Sequence, residues 1–150
     1  MKLRVVWIAA KTRSKEPAYD SLTQEYVARI SKFNPIEALP LPNDAALLKL
    51  VDRKTQRTPP LLVLLDSRGK EMTSEQFSQW IDSHQANDVQ QLVLAIGPAD
   101  GFSDEVRRES GAAISLGKMT LAHELARVVL LEQIYRAFTI MKRHPYHCGH

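Results

Sequence analysis

Five short apolar runs alternate along this chain with stretches whose apolar residues recur at helical spacing, and that alternation restricts the fold more than any other feature. Residues 3–10, 36–41, 61–65, 92–96 and 113–116 have the length and the aliphatic, β-branched content of buried strands. A helical segment follows each of them, so the order is βαβαβαβαβα. Parallel strands need long crossover connections, and helices packed on the sheet supply them. The reading is an α/β fold, a mostly parallel sheet with helices on both faces, in a single domain over residues 1–150. Run 61–65 is the most apolar and is expected at the sheet centre. Pro40 and Pro42 push run 36–41 toward an edge.

Turn and cap residues delimit the helices. Pro17 suits a first helical turn, and Leu22, Tyr26, Val27 and Ile30 keep helical spacing to about Phe33, where Asn34 and Pro35 stop it. Asn43 or Asp44 caps a helix with Leu47, Leu48 and Val51 on its stripe. Residues 66–70 read as a turn. Thr73 or Ser74 then opens a helix to about Ser83 that buries Phe77, Trp80 and Ile81. Residues 103–109 form a short helix. The last helix, from Thr120 to about Lys142, carries Leu121, Leu125, Val128, Leu131, Ile134 and Phe138 on more than one stripe. Such a helix is buried on several sides, by its own monomer or by a second subunit.

Composition narrows the function. A net charge of +3 permits a nucleic-acid partner without specifying one. From Lys118 onward there are five Lys or Arg against two acids, with Arg136, Lys142 and Arg143 gathered near the end. The single Cys148 excludes an internal disulfide. No run approaches the roughly 18 apolar residues of a membrane span, and residues 5–10 are too short for a signal-peptide core. A soluble cytoplasmic protein is expected.

Two glycine-bearing turns at strand ends are the candidate chemistry, because open α/β sheets bind ligands there. The first, G-P-A-D-G at 97–101, lacks the three spaced glycines of a dinucleotide site and the Lys-Ser/Thr of a P-loop. On residues alone, Gly97 and Gly101 read as plain turn glycines. The second turn, at 116–121, leads into the last helix. Its backbone N–H and C=O groups can hold an adenine edge or a carboxylate, or simply cap the helix. The tail holds His144, His147, Cys148 and His150, but His84 and His123 add no second cluster at zinc spacing, so no metal is expected. His123 reads as a capping or packing residue, and spacing supports no Ser-His-Asp set.

Five blocks carry a further signal: L-D-S-R-G-K (65–70), I-G-P-A-D-G-F-S (96–103), S-L-G-K-M-T-L-A-H-E-L-A-R (115–127), L-L-E-Q-I-Y-R-A-F (130–138) and H-P-Y-H (144–147). Together they closely resemble, essentially end to end, the SPOUT-class methyltransferases that methylate N3 of a pseudouridine in bacterial 23S ribosomal RNA. The resemblance implies a C-terminal trefoil knot, an exception to the rule against knots. It implies S-adenosylmethionine as cofactor, held by Leu65, Gly97, Leu116, Gly117, Lys118, Met119, Thr120 and Leu121. It also implies a homodimer with the last helix across the interface, ribosomal RNA or the ribosome as partner, and a basic tail reaching toward the partner subunit's cofactor.

An imide N3–H must lose its proton before the nitrogen can attack a methyl group. His147, Tyr146 and Arg143 are the catalytic candidates, as a base or as a cation beside the N3 anion. Arg136, Lys142 and Arg143 are the candidate RNA contacts. The chain departs from the family pattern G-G-P-x-G: Pro98 stands at the second glycine and Ala99 at the proline. Pro98 removes a backbone N–H, fixes its own φ and restricts Gly97, so the loop is reshaped. Ala122 stands at another family proline. Two rivals remain: a SPOUT methyltransferase acting on another RNA, and a non-catalytic RNA-binding or ribosome-maturation factor of the same fold. Pro98 is the one sequence feature that favours the latter.

Overall fold

The structure, a computed structural model, describes residues 1–9 and 14–148. The expected strand end at Ala10 and the tail residue His150 lie outside the described residues. The elements are β1 (Lys2–Ile8), α1 (Pro17–Ser31), β2 (Ile36–Leu41), α2 (Asp44–Leu50), β3 (Leu61–Glu71), α3 (Ser74–Ala86), β4 (Gln91–Ile96), α4 (Asp104–Glu109), β5 (Ala112–Ser115) and α5 (His123–Met141). All strand pairings are parallel, in the order β2-β1-β4-β3-β5. Alternate side chains of each strand feed two cores. Leu3, Val5, Val63, Leu92 and Leu94 pack with Ile30, Ile81 and Leu130 of α1, α3 and α5. Val6, Leu62, Leu64 and Val93 pack with Leu47 of α2 and Val106 of α4. The expected α/β architecture with helices on both faces is what forms, and β2, with Pro40, is an edge strand.

β3 departs from expectation twice. The central strand is β4, flanked by β1 and β3; β3 lies one place outward because β5 pairs on its far side. Residues 66–70 are not a turn but carry the strand on to Glu71. Leu65 and Lys70 both stand opposite Ile114, so the residues between them swing out of the ladder. The strand returns so close to β5 that a Cβ on Gly69 would lie 2.6 Å from the Ile114 carbonyl carbon. Only glycine allows that approach.

α5 also starts later than expected, at His123 rather than Thr120. The Ser115 hydroxyl accepts the Gly117 N–H at 3.1 Å and donates to the Gly117 carbonyl at 2.9 Å. That local turn competes with helix and keeps the following residues as a loop. The helix then runs between α1 and α3 and over β1 and β4. Leu130, Leu131, Ile134 and Ala137 are fully buried. The monomer alone thus wraps most of the apolar surface that the sequence left open to a second subunit. Close approach to α3 is sealed by hydroxyls: Ser78 donates to the Ala137 carbonyl and Ser74 to the Gln133 side chain, both at 2.8 Å. Among the described residues, no helix is long and apolar enough to cross a membrane.

One buried charge ties α5 to α1 and to the carboxyl end of β1. Arg127 is 2% exposed, with Nη2 3.3 Å from Asp20 of α1 and its guanidinium 4.1 Å from the Trp7 ring centroid, while Nε has no partner among the described residues. Desolvating that cation offsets much of the pair's attraction. Arg127→Met, which keeps the stem and removes the charge, is expected to cost less than about 1 kcal/mol in urea unfolding. Arg127→Ala, which empties the space under Trp7, is expected to cost roughly 3 kcal/mol.

Candidate functional site

The carboxyl ends of β3, β4 and β5 open onto one cleft of about 790 Å³. Its walls are the excursion of β3 from Leu65 to Arg68, the loop from Gly97 to Phe102, and the loop from Leu116 that leads into α5. This is where a parallel sheet offers backbone groups that no further strand satisfies. Of the eight residues expected to hold a cofactor, all but Lys118 line the cleft; Lys118 is exposed on the same loop. Met119 is 88% exposed, an unusual position for a thioether.

Each wall is set locally. The Phe102 ring lies under Gly97, where a Cβ would sit 3.0 Å from it, so glycine lets the loop close down on the aromatic. The Gly101 N–H donates to the Pro98 carbonyl at 2.9 Å, which closes the turn despite the proline. Pro98 itself lines the cleft and does not fill it. The loop then enters α4 through Ser103, whose hydroxyl accepts the Val106 N–H and whose own N–H donates to Asp44 at 3.0 Å.

Facing that loop is Asp66, with only 9% of its side chain exposed. Its carboxylate accepts the Arg68 N–H at 2.9 Å and the Arg107 guanidinium at 2.5 Å. The Arg68 side chain approaches to 3.5 Å but is itself mostly exposed. These bonds, the Arg68 N–H first and Arg107 next, hold the carboxyl down to about 2. Asp66, Arg107 and Phe102 were not singled out from the sequence. Asp66 was hidden by reading residues 66–70 as a turn, and nothing in the chain marks a partner 41 positions away. His123, expected to cap or pack, also lines the cleft.

The tail groups assemble elsewhere, where the chain after α5 folds back on the second half of that helix. Arg143 takes a left-handed φ of 55°, with its N–H on the Ile140 carbonyl at 3.1 Å and the His144 N–H on Thr139 at 2.8 Å. That bond pair ends a helix and usually selects glycine. The reversal lays Tyr146 edge-on against Tyr135, centroids 4.7 Å apart, with its hydroxyl donating to Glu132 at 3.0 Å. Burial first, then bonds with Tyr26 and Glu132, push the Tyr146 phenol well above its ordinary value, so it keeps its proton and serves as a hydrogen-bond donor. Arg136 donates twice to Glu132, at 2.6 and 3.1 Å, and meets His147 Nδ1 at 2.9 Å. A guanidinium only donates, so Nδ1 accepts, and His147 Nε2–H donates to Glu75 of α3 at 2.7 Å. That bond holds the Glu75 carboxyl below its usual value. Among the described residues Lys142 and Arg143 form no ion pair, whereas Arg136 is engaged within the chain. No group of three or more potential ligands is placed to hold a metal among the described residues.

The Asp66 arrangement has a pH signature. A carboxyl held at about 2 instead of 3.8 adds stability that is complete above pH 4 and vanishes as pH falls toward 2. Melting temperatures of the wild type and Asp66→Asn should therefore differ at pH 6 and converge between pH 4 and 2.

A family model described as a predicted SPOUT methyltransferase matches residues 1–147. The chain is 51% identical to a protein of Koribacter versatilis named ribosomal RNA large subunit methyltransferase H, over 100% of both chains. It is 39% identical to a protein of the same name from Geobacter sulfurreducens, over 98% of this chain and 99% of that one. Among solved structures it is similar to the SpoU methyltransferase AviRb from Streptomyces viridochromogenes in complex with the cofactor AdoMet. There the TM-score is 0.52 at 16% identity, over 90% of this chain and 57% of AviRb. A probable methylase family protein from Haemophilus influenzae aligns with a TM-score of 0.56 at 7% identity, over 96% of this chain and 69% of that one. Identities this low report a shared fold. With the family model and the full-length relatives in agreement, the chain belongs to the SPOUT methyltransferase family.

Proposed function

We propose that this chain is an S-adenosylmethionine-dependent ribosomal RNA methyltransferase that methylates N3 of a pseudouridine in 23S ribosomal RNA on the ribosome. The observation that carries the reading is the cleft: it gathers the expected cofactor residues of three separate strand ends, in a chain 51% identical to a named rRNA methyltransferase over its whole length. The residues fit the group. The cleft has room for a nucleoside with an amino-acid arm, the loop at 116–121 supplies backbone donors and acceptors for an adenine edge, and among the described residues no atom beyond its chain neighbours lies within 4 Å of the Cβ position of Gly117. Bound there, the cofactor supplies an electrophilic methyl group. The chain's part is to hold it, align the base and ease the loss of the imide proton.

This reading includes a single catalytic domain acting in the cytoplasm, a trefoil knot in the backbone, and a homodimer. The course of the chain supports the knot: β5 pairs outside β3, and α5 then returns across β4 and β1. Geometry within one chain supports the dimer. The tail folds back along α5, so Tyr146 and His147 meet Glu132, Tyr135 and Arg136, roughly 14 to 20 Å along the helix from the cleft at its first turn. A two-fold pairing that runs the two α5 helices antiparallel brings the partner subunit's tail to this cleft. Leu125, 39% exposed on α5, belongs to the face that pairing would cover. In that arrangement His147 must exchange its bond with Arg136 for the imide proton, and Arg143 and Lys142 lie free for phosphate.

Purified protein with ribosomes should add one methyl group to a pseudouridine nucleoside, read by mass spectrometry of digested RNA. Gly97→Trp, which puts a side chain where the Phe102 ring lies and so breaks the loop wall of the cleft, should abolish both that product and calorimetric binding of S-adenosylmethionine. Mixing Gly97→Trp with His147→Ala subunits should restore about a quarter of wild-type activity, since half the dimers would hold one complete site. No recovery on mixing would mean that cleft and tail act within one chain.

A further inference from the structure

We propose that Arg107 is a positioning residue for cofactor binding: through Asp66 it sets the distance between the two facing walls of the cleft. The inference rests on the cofactor reading above and names a residue which that reading does not use.

The loop wall is pinned on its own side in three ways. Gly101 bonds back to Pro98, Phe102 fills the space below Gly97, and Ser103 bonds to Asp44 of α2. None of these reaches across the cleft. Among the described residues, one side-chain tie joins the loop and its helix to the β3 excursion, and it is Arg107 Nη1 on Asp66 Oδ2 at 2.5 Å. Asp66 is a firm anchor, since it is nearly buried and its other oxygen accepts the Arg68 N–H. On its own wall, Arg107 Nη2 lies beside Gly101, 3.6 Å from where a Cβ there would sit. One guanidinium therefore spans from the β3 excursion to the far turn of the glycine loop. It leaves the last turn of α4, where a cation suits the helix carbonyl end.

The tie matters more here because of Pro98. A proline offers no N–H to anchor the loop, so the charge-assisted bond at Asp66 does work that backbone bonds do elsewhere. With it, the cleft is open to the right width before the cofactor arrives. Without it, α4 and the loop have to be ordered on binding, and affinity falls by that cost. Arg107 is one-third exposed, so water softens the loss but does not replace the bridge.

The test is calorimetric titration of S-adenosylmethionine into wild type, Arg107→Met, Arg107→Lys and Asp66→Asn, with melting curves and steady-state kinetics on ribosomes. Arg107→Met should raise Kd and the KM for cofactor together, by roughly tenfold, with kcat at saturating cofactor within about twofold of wild type. Its melting temperature should fall no further than that of Asp66→Asn, since the carboxylate keeps the Arg68 N–H. Arg107→Lys should recover most of the affinity. The Asp66→Asn/Arg107→Met double variant should bind no worse than the weaker single one. Unchanged affinity in Arg107→Met, or a loss of kcat with Kd intact, overturns the inference alone. Failure of Lys to rescue, with a melting point that falls in step with affinity, overturns it in favour of a general fold defect. A wild-type protein that binds no cofactor overturns the cofactor reading, and the inference with it.

Discussion

The parallel pairing of β5 on the outer side of β3 is the contact on which the rest of the structure depends. It puts three strand ends side by side on one edge of the sheet, and it makes residues 66–69 leave the ladder to let β3 pass β5 twice at Ile114. Both the cleft and its Asp66 wall come from that excursion. β5 is four residues long, so its own ladder is short. It is secured by the buried Ile114, by the Gly111 N–H on the Leu62 carbonyl at 2.8 Å, and by the close passage of Gly69. From β5 the chain is committed to return over the sheet as α5, since that is where an apolar helix finds two flanking helices and a core beneath.

α5 then separates two polar centres. At its start, Asp66 gathers two arginines around the cleft. On its second half, Glu132 gathers Arg136, Tyr146 and Gln133, and His147 bridges Arg136 to α3. In each centre a partly buried carboxylate is stabilised by several donors, which is the condition for keeping such a group charged away from bulk water. The separation has a functional meaning. His147 and Tyr146 are ordered in the chain that carries them, on the second half of α5 and away from the cleft at its first turn. In the proposed dimer the partner subunit's tail would supply these groups to the cleft, once His147 gives up its bond with Arg136.

Much of this could be read from residue order. The alternation of apolar runs and helical stripes pointed to a mostly parallel α/β sheet, because side-chain period sets the type of element and connection length sets strand direction. Asn43 and Thr73 cap their helices through side-chain bonds to the N3 amides. The turn residues at 97–101 and 116–121 marked the cleft, since glycines at strand ends are local features. The reading of residues 66–70 as a turn failed for the opposite reason. Asp-Ser-Arg-Gly is turn-like by composition, and pairing with a strand over forty residues later overrides it. Likewise, apolar residues all round α5 pointed equally to a wrapping monomer or a dimer, and only packing between α1 and α3 decided that the monomer covers most of them.

What the sequence by itself determined is what depends on neighbours in the chain: element type, order, caps, the family blocks and the residues of the two glycine turns. What only the tertiary structure decided is what depends on distant residues meeting. That includes β4 at the centre, Arg107 against Asp66, Arg127 under Trp7, and a tail whose histidine and tyrosine are held by Glu75 and Glu132 away from the cleft. Local periodicity carries no term for such pairs; they form because the sheet order brings their backbones together, and the charges then find each other.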